Sequence, residues 1–318
     1  MLTKLWYSRH PVMWLLFPLS LIYSSVAFMC RLYGLYIKRK PINVPVIVVG
    51  NLTAGGVGKT PLVVAMVKRF QTKGLCVGVV SRGYGATLKT FPYQVKLNDS
   101  AFVVGDEPLL IAQNTQAPVV IAPKRCDAVA YLLKHHACDV IISDDGLQHY
   151  AMDRAVEIVV IDGVRGLGNG LCLPAGPLRE GPWRLKTVDF IVIHGASPKQ
   201  GAYRMDLLPG TVKPLLQGEP FDPKTTVAAI AGIGHPQRFF DTLTRLGITY
   251  RPYAFPDHHV FSEDNLKVPE ACILMTEKDA VKCVSFATPT MYYLPVEAVL
   301  DESFWDALFV HKQLEGLR

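Results

Sequence analysis

The sequence predicts an α/β fold whose parallel sheet is covered by helices, and three observations carry that reading. An apolar β-branched run, Val46-Ile47-Val48-Val49, leads into a glycine-rich turn and then a helix-like stretch from Leu62 to Phe70. Short apolar runs go on alternating with helical segments down the chain, and strands that are apolar throughout belong to sheets buried on both faces. One such run, Val140-Ile141-Ile142, ends at Asp144-Asp145, and ligands of doubly wound sheets gather at the C-terminal ends of strands.

Taken in order, the chain opens with an uncharged stretch of about 20 residues, Pro11 to Cys30, long enough to cross or enter a bilayer. Arg9 precedes it, and Arg31, Lys38, Arg39 and Lys40 come after it. Trp14, Tyr23, Tyr33 and Tyr36 are the amphipathic aromatics expected at an interface, and the basic flank places the remainder of the chain in the cytoplasm. Two other readings compete: a cleaved export signal ending near Ser25-Val26-Ala27, and a buried core helix. Strands are expected at Val46–Val49, Leu75–Val80, Val119–Ile121, Val140–Ser143, Ile158–Ile161 and Phe190–Ile193. Helices are expected at Leu62–Thr72, Pro108–Asn114 and Arg125–His136. Residues 199–222, rich in Pro, Gly and Lys, read as a linker. A second strand–helix run comes next, with strands at Thr226–Ile230, Tyr250–Phe255, Ile273–Thr276 and Met291–Leu294. Its helices are Gln237–Leu246 and, at the end, Phe304–His311. The expected organisation is therefore a membrane helix with basic flank (1–40), a nucleotide-binding core (41–198), a linker (199–222) and a smaller α/β lobe (223–318).

Composition bounds the function. Half of the 318 residues are hydrophobic and the formal net charge is +6. With a mean hydropathy of +0.22, this balance suits an anionic membrane surface or a phosphorylated substrate. No Arg/Lys run is interleaved with aromatics, so nucleic acid is not indicated, and nothing implies an obligate protein partner. Seven cysteines lie scattered without a C-x-x-C pair, as in a reduced compartment.

The chemistry begins at Thr53-Ala54-Gly55-Gly56-Val57-Gly58-Lys59-Thr60. Strand, glycine-rich turn, Lys-Thr and helix form the arrangement that cradles nucleotide phosphates. Glycines let backbone N–H groups face phosphate oxygens, and the helix after them adds its N-terminal dipole. Lys59 can reach the β- and γ-phosphates, and Thr60 can offer its hydroxyl to Mg²⁺. Thr53 stands where the strict pattern has its first glycine. Asp144 and Asp145 are candidate Mg²⁺ ligands, or else an Asx turn. Asp106, in Gly105-Asp106-Glu107-Pro108, either orients an acceptor hydroxyl or caps a helix. In Asp257-His258-His259, an imidazole held by a neighbouring carboxylate could tune a second one, or both histidines could be plain surface residues. The loop Leu173 to Glu180 brings Arg179, which could neutralise charge on a transferring phosphoryl group. Ser81-Arg82-Gly83-Tyr84-Gly85 offers Arg82 and Tyr84 to a phosphate or sugar.

The ordered set of these motifs, with Asp144-Asp145-Gly146-Leu147-Gln148-His149, Ala231-Gly232-Ile233-Gly234, Phe255-Pro256-Asp257-His258-His259, Thr276-Glu277-Lys278-Asp279 and the N-terminal hydrophobic helix, resembles the tetraacyldisaccharide 4′-kinase family over nearly the whole chain. The resemblance implies an ATP- and Mg²⁺-dependent kinase with a P-loop NTPase core and a smaller lobe, the site lying between them. Its substrate would be an acylated glucosamine disaccharide 1-phosphate on the cytoplasmic face of the bacterial inner membrane, and its product lipid IVA. It also implies that Lys59 serves the phosphates, that Thr60 and Asp144 or Asp145 serve Mg²⁺, and that Asp106 assisted by His258 acts on the 4′-hydroxyl, with Arg179 at the phosphates. Two other nucleotide-using classes fit less well. A partitioning ATPase would carry a lysine where this chain has Ala54. A regulatory GTPase would need Asn/Thr-Lys-x-Asp, and in Thr276-Glu277-Lys278-Asp279 the lysine comes one place late.

Overall fold

The computed structural model describes residues 2–8, 10–36, 42–198 and 201–317. Arg9, Lys38, Arg39, Lys40 and Lys199 lie outside the described residues. In chain order the elements begin with α1 (Leu2–Ser8), a 3-10 turn (Pro11–Leu16) and α2 (Phe17–Tyr36). The core comes next: β1 (Val46–Gly50), α3 (Lys59–Gln71), β2 (Val77–Ser81), β3 (Tyr93–Gln94), α4 (Ala101–Val104), α5 (Asp106–Thr115), β4 (Val119–Ile121), α6 (Arg125–His135), β5 (Val140–Asp144), β6 (Val156–Asp162) and β7 (Phe190–His194). Then come β8 (Tyr203–Pro209), β9 (Lys213–Pro214), β10 (Val227–Ala231), α7 (Pro236–Arg245), β11 (Tyr250–Ala254), β12 (Cys272–Thr276), α8 (Glu277–Cys283), β13 (Met291–Leu294), β14 (Val296–Leu300) and α9 (Glu302–Phe309).

The larger sheet has nine strands in the order β14-β8-β7-β6-β1-β5-β2-β4-β3. It is parallel except at its two edges, where β14 pairs with β8 and β3 with β4 in antiparallel sense. Central strands are buried residue by residue, as their unbroken apolar runs require. Ile47 and Val49 join the core beneath α3, α5 and α9, while Val46 and Val48 face the core beneath α6. The central strand β1 is flanked by β5 and β6, and the register sets Val49 beside Asp144. This places the loop after β1 next to the carboxylates that end β5. The smaller sheet, order β11-β10-β12-β13-β9, has its own core on both faces.

The stretch expected to be a linker departs from that reading. Within 199–222, β8 extends the large sheet: it runs parallel to β7, with His194 opposite Met205, and antiparallel to β14. The chain's last elements also leave the smaller lobe. Strand β14 returns to the large sheet, and Phe304, Trp305 and Leu308 of α9 join its core, with Phe304 edge-on to Phe190 and Phe309 edge-on to Phe70. The lobe made by the smaller sheet is thus an insertion between two strands of the large one. One partner of β8, β7, lies just upstream, but the other, β14, lies far downstream, so the half-buried pattern of β8 carries no local signal of that second pairing.

Helix α2, with the 3-10 turn before it, is long and apolar enough to cross a membrane, and most of its surface is exposed. It lies along the core instead of standing clear of it. Ser20 donates to the Cys172 carbonyl at 2.7 Å, Tyr23 packs on the core beneath α6, and the Arg31 guanidinium stacks on Trp183 at 4.7 Å. The opposite side, at i, i+3, i+4 spacing, exposes Leu19, Ile22, Val26, Met29, Tyr33 and Tyr36. This stripe is a continuous apolar face turned away from the core.

Candidate active site

The loop from Gly50 to Thr60 joins β1 to α3 and is held rigidly. Asn51 is fully buried, and its amide donates to the Thr53 and Gly55 carbonyls at 2.6 and 3.1 Å. Gly58 is the N-cap of α3 with φ 96°, a left-handed backbone that glycine alone adopts freely, and no side chain caps the helix there. The Lys59 and Thr60 N–H groups that open this 13-residue helix therefore have no side-chain cap from the residue before them, and Pro61 has no N–H to satisfy. Thr53 forms an isolated bridge with Leu178, the Ala54 N–H donates to the Pro177 carbonyl at 2.7 Å, and the Arg179 N–H donates to the Leu52 carbonyl at 2.6 Å. Thr53 and Ala54 thus stitch the phosphate loop to the 173–180 loop, and the stitch fixes where Arg179 stands. The buried Glu180 carboxylate anchors the end of that loop by accepting from Tyr150 and Gln148.

Two carboxylates at the end of β5 sit in opposite environments. Asp145, at φ 47°, accepts both Arg179 bonds at 3.0 Å and lies 3.3 Å from the Lys59 ammonium. Burial pushes its pKa up, but Lys59 and Arg179 outweigh that and hold it at about 2. Asp144 is completely buried, and neither of its carboxylate oxygens has a hydrogen-bond partner. Burial, reinforced by the charge of Glu107, lifts its pKa to about 7. Arg125, itself 1% exposed, donates to the backbone carbonyls of both residues and locks the turn. The Lys59 ammonium also donates to Asn51 Oδ1 at 3.0 Å.

Asp106 meets His258 although 152 residues separate them. His258 Nδ1 lies 3.0 and 3.2 Å from the two carboxylate oxygens. His258 is in the left-handed region, φ 58°, a backbone that costs a non-glycine residue stability and recurs at functional sites. Lys278, at the start of α8, closes the group: its ammonium lies 3.0 Å from Glu107, 3.3 Å from Asp257 and 3.8 Å from Asp106. Burial pushes the Asp106 pKa up, yet the His258 hydrogen bond and the Lys278 charge bring it down to about 2. The Asp106 bond raises that of His258, and three surrounding carboxylates raise that of Lys278. Asp106 is the first residue of α5, and Gly105 takes the N-cap position.

This cluster and the phosphate loop form one site. A Cβ on Gly234 would meet the Gly56 nitrogen at 2.7 Å, so the Gly232-Ile233-Gly234 turn of the smaller lobe presses directly on the loop. Asp257 lies against the same two glycines, and Glu107 is close enough to Asp144 to shift its titration. Tyr84 joins the group, with its ring centroid 5.0 Å from that of His258. Arg82 stands exposed at the end of β2, where its charge, with that of Arg125 and with burial, depresses His149 to about 4. Sequence reasoning gave no role to Lys278, Asn51 or Arg125. Lys278 was visible only as part of Thr276-Glu277-Lys278-Asp279, and nothing local says what a lysine there will face.

Comparison with known proteins agrees with this geometry. The profile of the family described as tetraacyldisaccharide-1-P 4′-kinase matches residues 12–313. A tetraacyldisaccharide 4′-kinase from Legionella pneumophila (strain Corby) is 54% identical over 98% of both chains. One from Shewanella sp. (strain MR-4) is 47% identical over 96% of this chain and 92% of its own. A crystal structure of LpxK from Aquifex aeolicus in complex with ATP superposes with a TM-score of 0.78 at 27% identity, covering 95% of this chain and 99% of that one. The motifs, the fold and these likenesses converge, and the chain belongs to the tetraacyldisaccharide-1-P 4′-kinase family.

Proposed function

We propose that this chain transfers the γ-phosphoryl group of ATP to the 4′-hydroxyl of a tetraacylated glucosamine disaccharide 1-phosphate, at the cytoplasmic face of the bacterial inner membrane. The observation that carries the reading is the junction of Asp106, His258 and Lys278 against a phosphate loop fed by Lys59 and Arg179. The loop N–H groups, Lys59 and Arg179 hold the β- and γ-phosphates and stabilise charge on the transferring group. Asp106 accepts the hydrogen bond of the acceptor hydroxyl and lines it up. A carboxylate held near pKa 2 is a weak base. Phosphoryl transfer passes through a loose transition state, however, so the hydroxyl turns acidic late and alignment contributes most. His258 and Lys278 keep Asp106 ionised, and Arg82 and Tyr84 line the sugar side. Incubating the acylated disaccharide with enzyme and ATP should add one phosphoryl group at the 4′ position by mass spectrometry. ATP hydrolysis without that product would sink the proposal.

Mg²⁺ fits the residues present. Both Asp144 oxygens are buried without a hydrogen-bond partner, and the buried Thr60 is the second residue of α3. Among the described residues there is no cage of three or more His, Cys, Asp or Glu, which suits an ion held chiefly by phosphates and water. Thr60 and Asp144 would hold it, and when bound it spreads the charge between β- and γ-phosphates. An uncompensated buried carboxylate destabilises the fold. Asp144→Asn is therefore expected to raise the melting temperature of metal-free enzyme by a few degrees, about 1 kcal/mol, while cutting turnover at least about a hundredfold. Calorimetry and initial rates test this together, and a lower melting temperature would refute the first half.

The exposed stripe on α2 is the proposed membrane contact. A double change, Ile22→Glu with Met29→Glu, should release the protein from phospholipid vesicles in a flotation assay with ATP affinity kept, because neither side chain touches the core. Deleting residues 1–30 is a harsher test than the hydropathy alone suggests. Trp6 donates to the Pro174 carbonyl and Ser20 to that of Cys172, both in or beside the loop that carries Arg179.

A further inference from the structure

A second polar cluster touches the phosphate loop at Val57, and none of its members takes part in the chemistry above. His194 ends β7 and is 6% exposed. Its Nδ1 lies 3.0 Å from the Val57 carbonyl oxygen and 2.9 Å from Nη1 of Arg238. A Cβ on Gly58 would come within 3.1 Å of the same nitrogen, so the imidazole packs directly on the loop. Arg238 belongs to α7 of the smaller lobe. Its Nη2 donates to Asp162 Oδ1 at 2.8 Å. Asp162 is 2% exposed at the end of β6, and the same oxygen accepts from the Val164 and Arg165 N–H groups. Arg165 in turn donates to the Gly234 carbonyl at 3.0 Å, beside Gly56.

This network joins the two lobes at the back of the nucleotide loop. It also contains a constraint. Burial and the Arg238 charge lower the His194 pKa, which keeps the ring neutral. A neutral imidazole nitrogen either donates or accepts. Nδ1 faces a donor, Arg238, and an acceptor, the Val57 carbonyl, and can satisfy one of them at a time. Arg238, held by Asp162, therefore influences how His194 meets the Val57–Gly58 peptide.

We infer that His194 and Arg238 are positioning residues that couple the placement of the smaller lobe to the phosphate loop, and thereby to ATP affinity. The inference rests on assigning the phosphates of ATP to the loop at 53–60. A hydrogen bond to a charged group, once lost, is worth roughly tenfold or more in binding. Calorimetric titration of ATP should show Arg238→Ala and His194→Ala each weakening affinity by about tenfold, with the KM for ATP rising more than kcat falls. The two should not add: the double variant should bind within about twofold of the weaker single, because both act through one peptide. His194→Asn keeps a polar atom close to the place of Nδ1 and should recover affinity to within about threefold of wild type. Lys59→Ala serves as the control. If it weakens ATP binding while Arg238→Ala does not, the coupling is absent. If neither change weakens binding, the loop assignment falls and the inference with it. Additive effects, or an Asn variant as weak as the Ala one, would reduce His194 to a packing residue and overturn the inference. The Arg238 side chain is 24% exposed, so its variants serve even if His194→Ala fails to fold.

Discussion

Replacing Lys59 by alanine is expected to lower turnover by about a thousandfold or more. The side chain is 9% exposed, and its ammonium is held by Asn51 Oδ1 and Asp145. A preorganised cation in a dry site costs little reorganisation as charge develops on the phosphates, and losing one such contact removes several kcal/mol of transition-state stabilisation. Lys59→Arg should not restore activity, because a planar guanidinium cannot take the place of a compact ammonium between Asn51 and Asp145. Initial rates at saturating ATP and lipid give the answer. A Lys59→Ala enzyme running at the wild-type rate would mean that the nucleotide phosphates bind elsewhere.

Asp106→Ala is expected to lower kcat by roughly 10²–10⁴-fold with little change in the KM for ATP, the mark of an interaction made at the reacting hydroxyl. Asp106→Asn separates catalysis from helix capping. Asparagine caps as well as aspartate, so a capping role forecasts full activity. With Gly105 at the N-cap position and the carboxylate bonded to His258, we expect at least about a hundredfold loss instead. Stability should change as well. The Asp106 pKa is depressed in the fold from 3.8 to about 2, a linkage worth about 2 kcal/mol. Because the folded value is the lower one, this stability is fully present above about pH 4 and is lost as the pH falls toward 2. Asp106→Asn should therefore melt lower than wild type at neutral pH and lose that part of the acid dependence. His258→Ala should act in the same direction more mildly, and the double variant should cost less than the sum, since the two residues work as a unit. A fully active Asp106→Asn enzyme would remove Asp106 from the mechanism.

Much of this protein is legible in its sequence because the signals are local. An apolar run, a glycine that tolerates left-handed backbone and a Lys-Thr at a helix start specify the phosphate loop within fifteen or so residues, and the structure sets them between β1 and α3. The burial of whole strands follows from unbroken Val and Ile runs, and β4 and β13 fall at the expected residues. The hydropathy of the N-terminus marks an apolar helix, but periodicity alone did not show that Ser20, Tyr23 and Arg31 would seat it on the core.

Tertiary packing, by contrast, settles which distant groups share a space. The meeting of Asp106 with His258 and Lys278, the docking of Gly234 on Gly56, and the return of β14 and α9 to the large sheet across an inserted lobe all join residues far apart in the chain. No local period or turn encodes them, because they result from how whole layers pack. The same holds for electrostatics. Asp144 and Asp145 are identical neighbours in sequence, yet one is a buried carboxylate without a hydrogen-bond partner, lifted to about 7, and the other is held at about 2 by Lys59 and Arg179. The order of residues specifies that two carboxylates end that strand. Their difference comes from desolvation and from charges brought up by other segments, which exist only once the chain is folded.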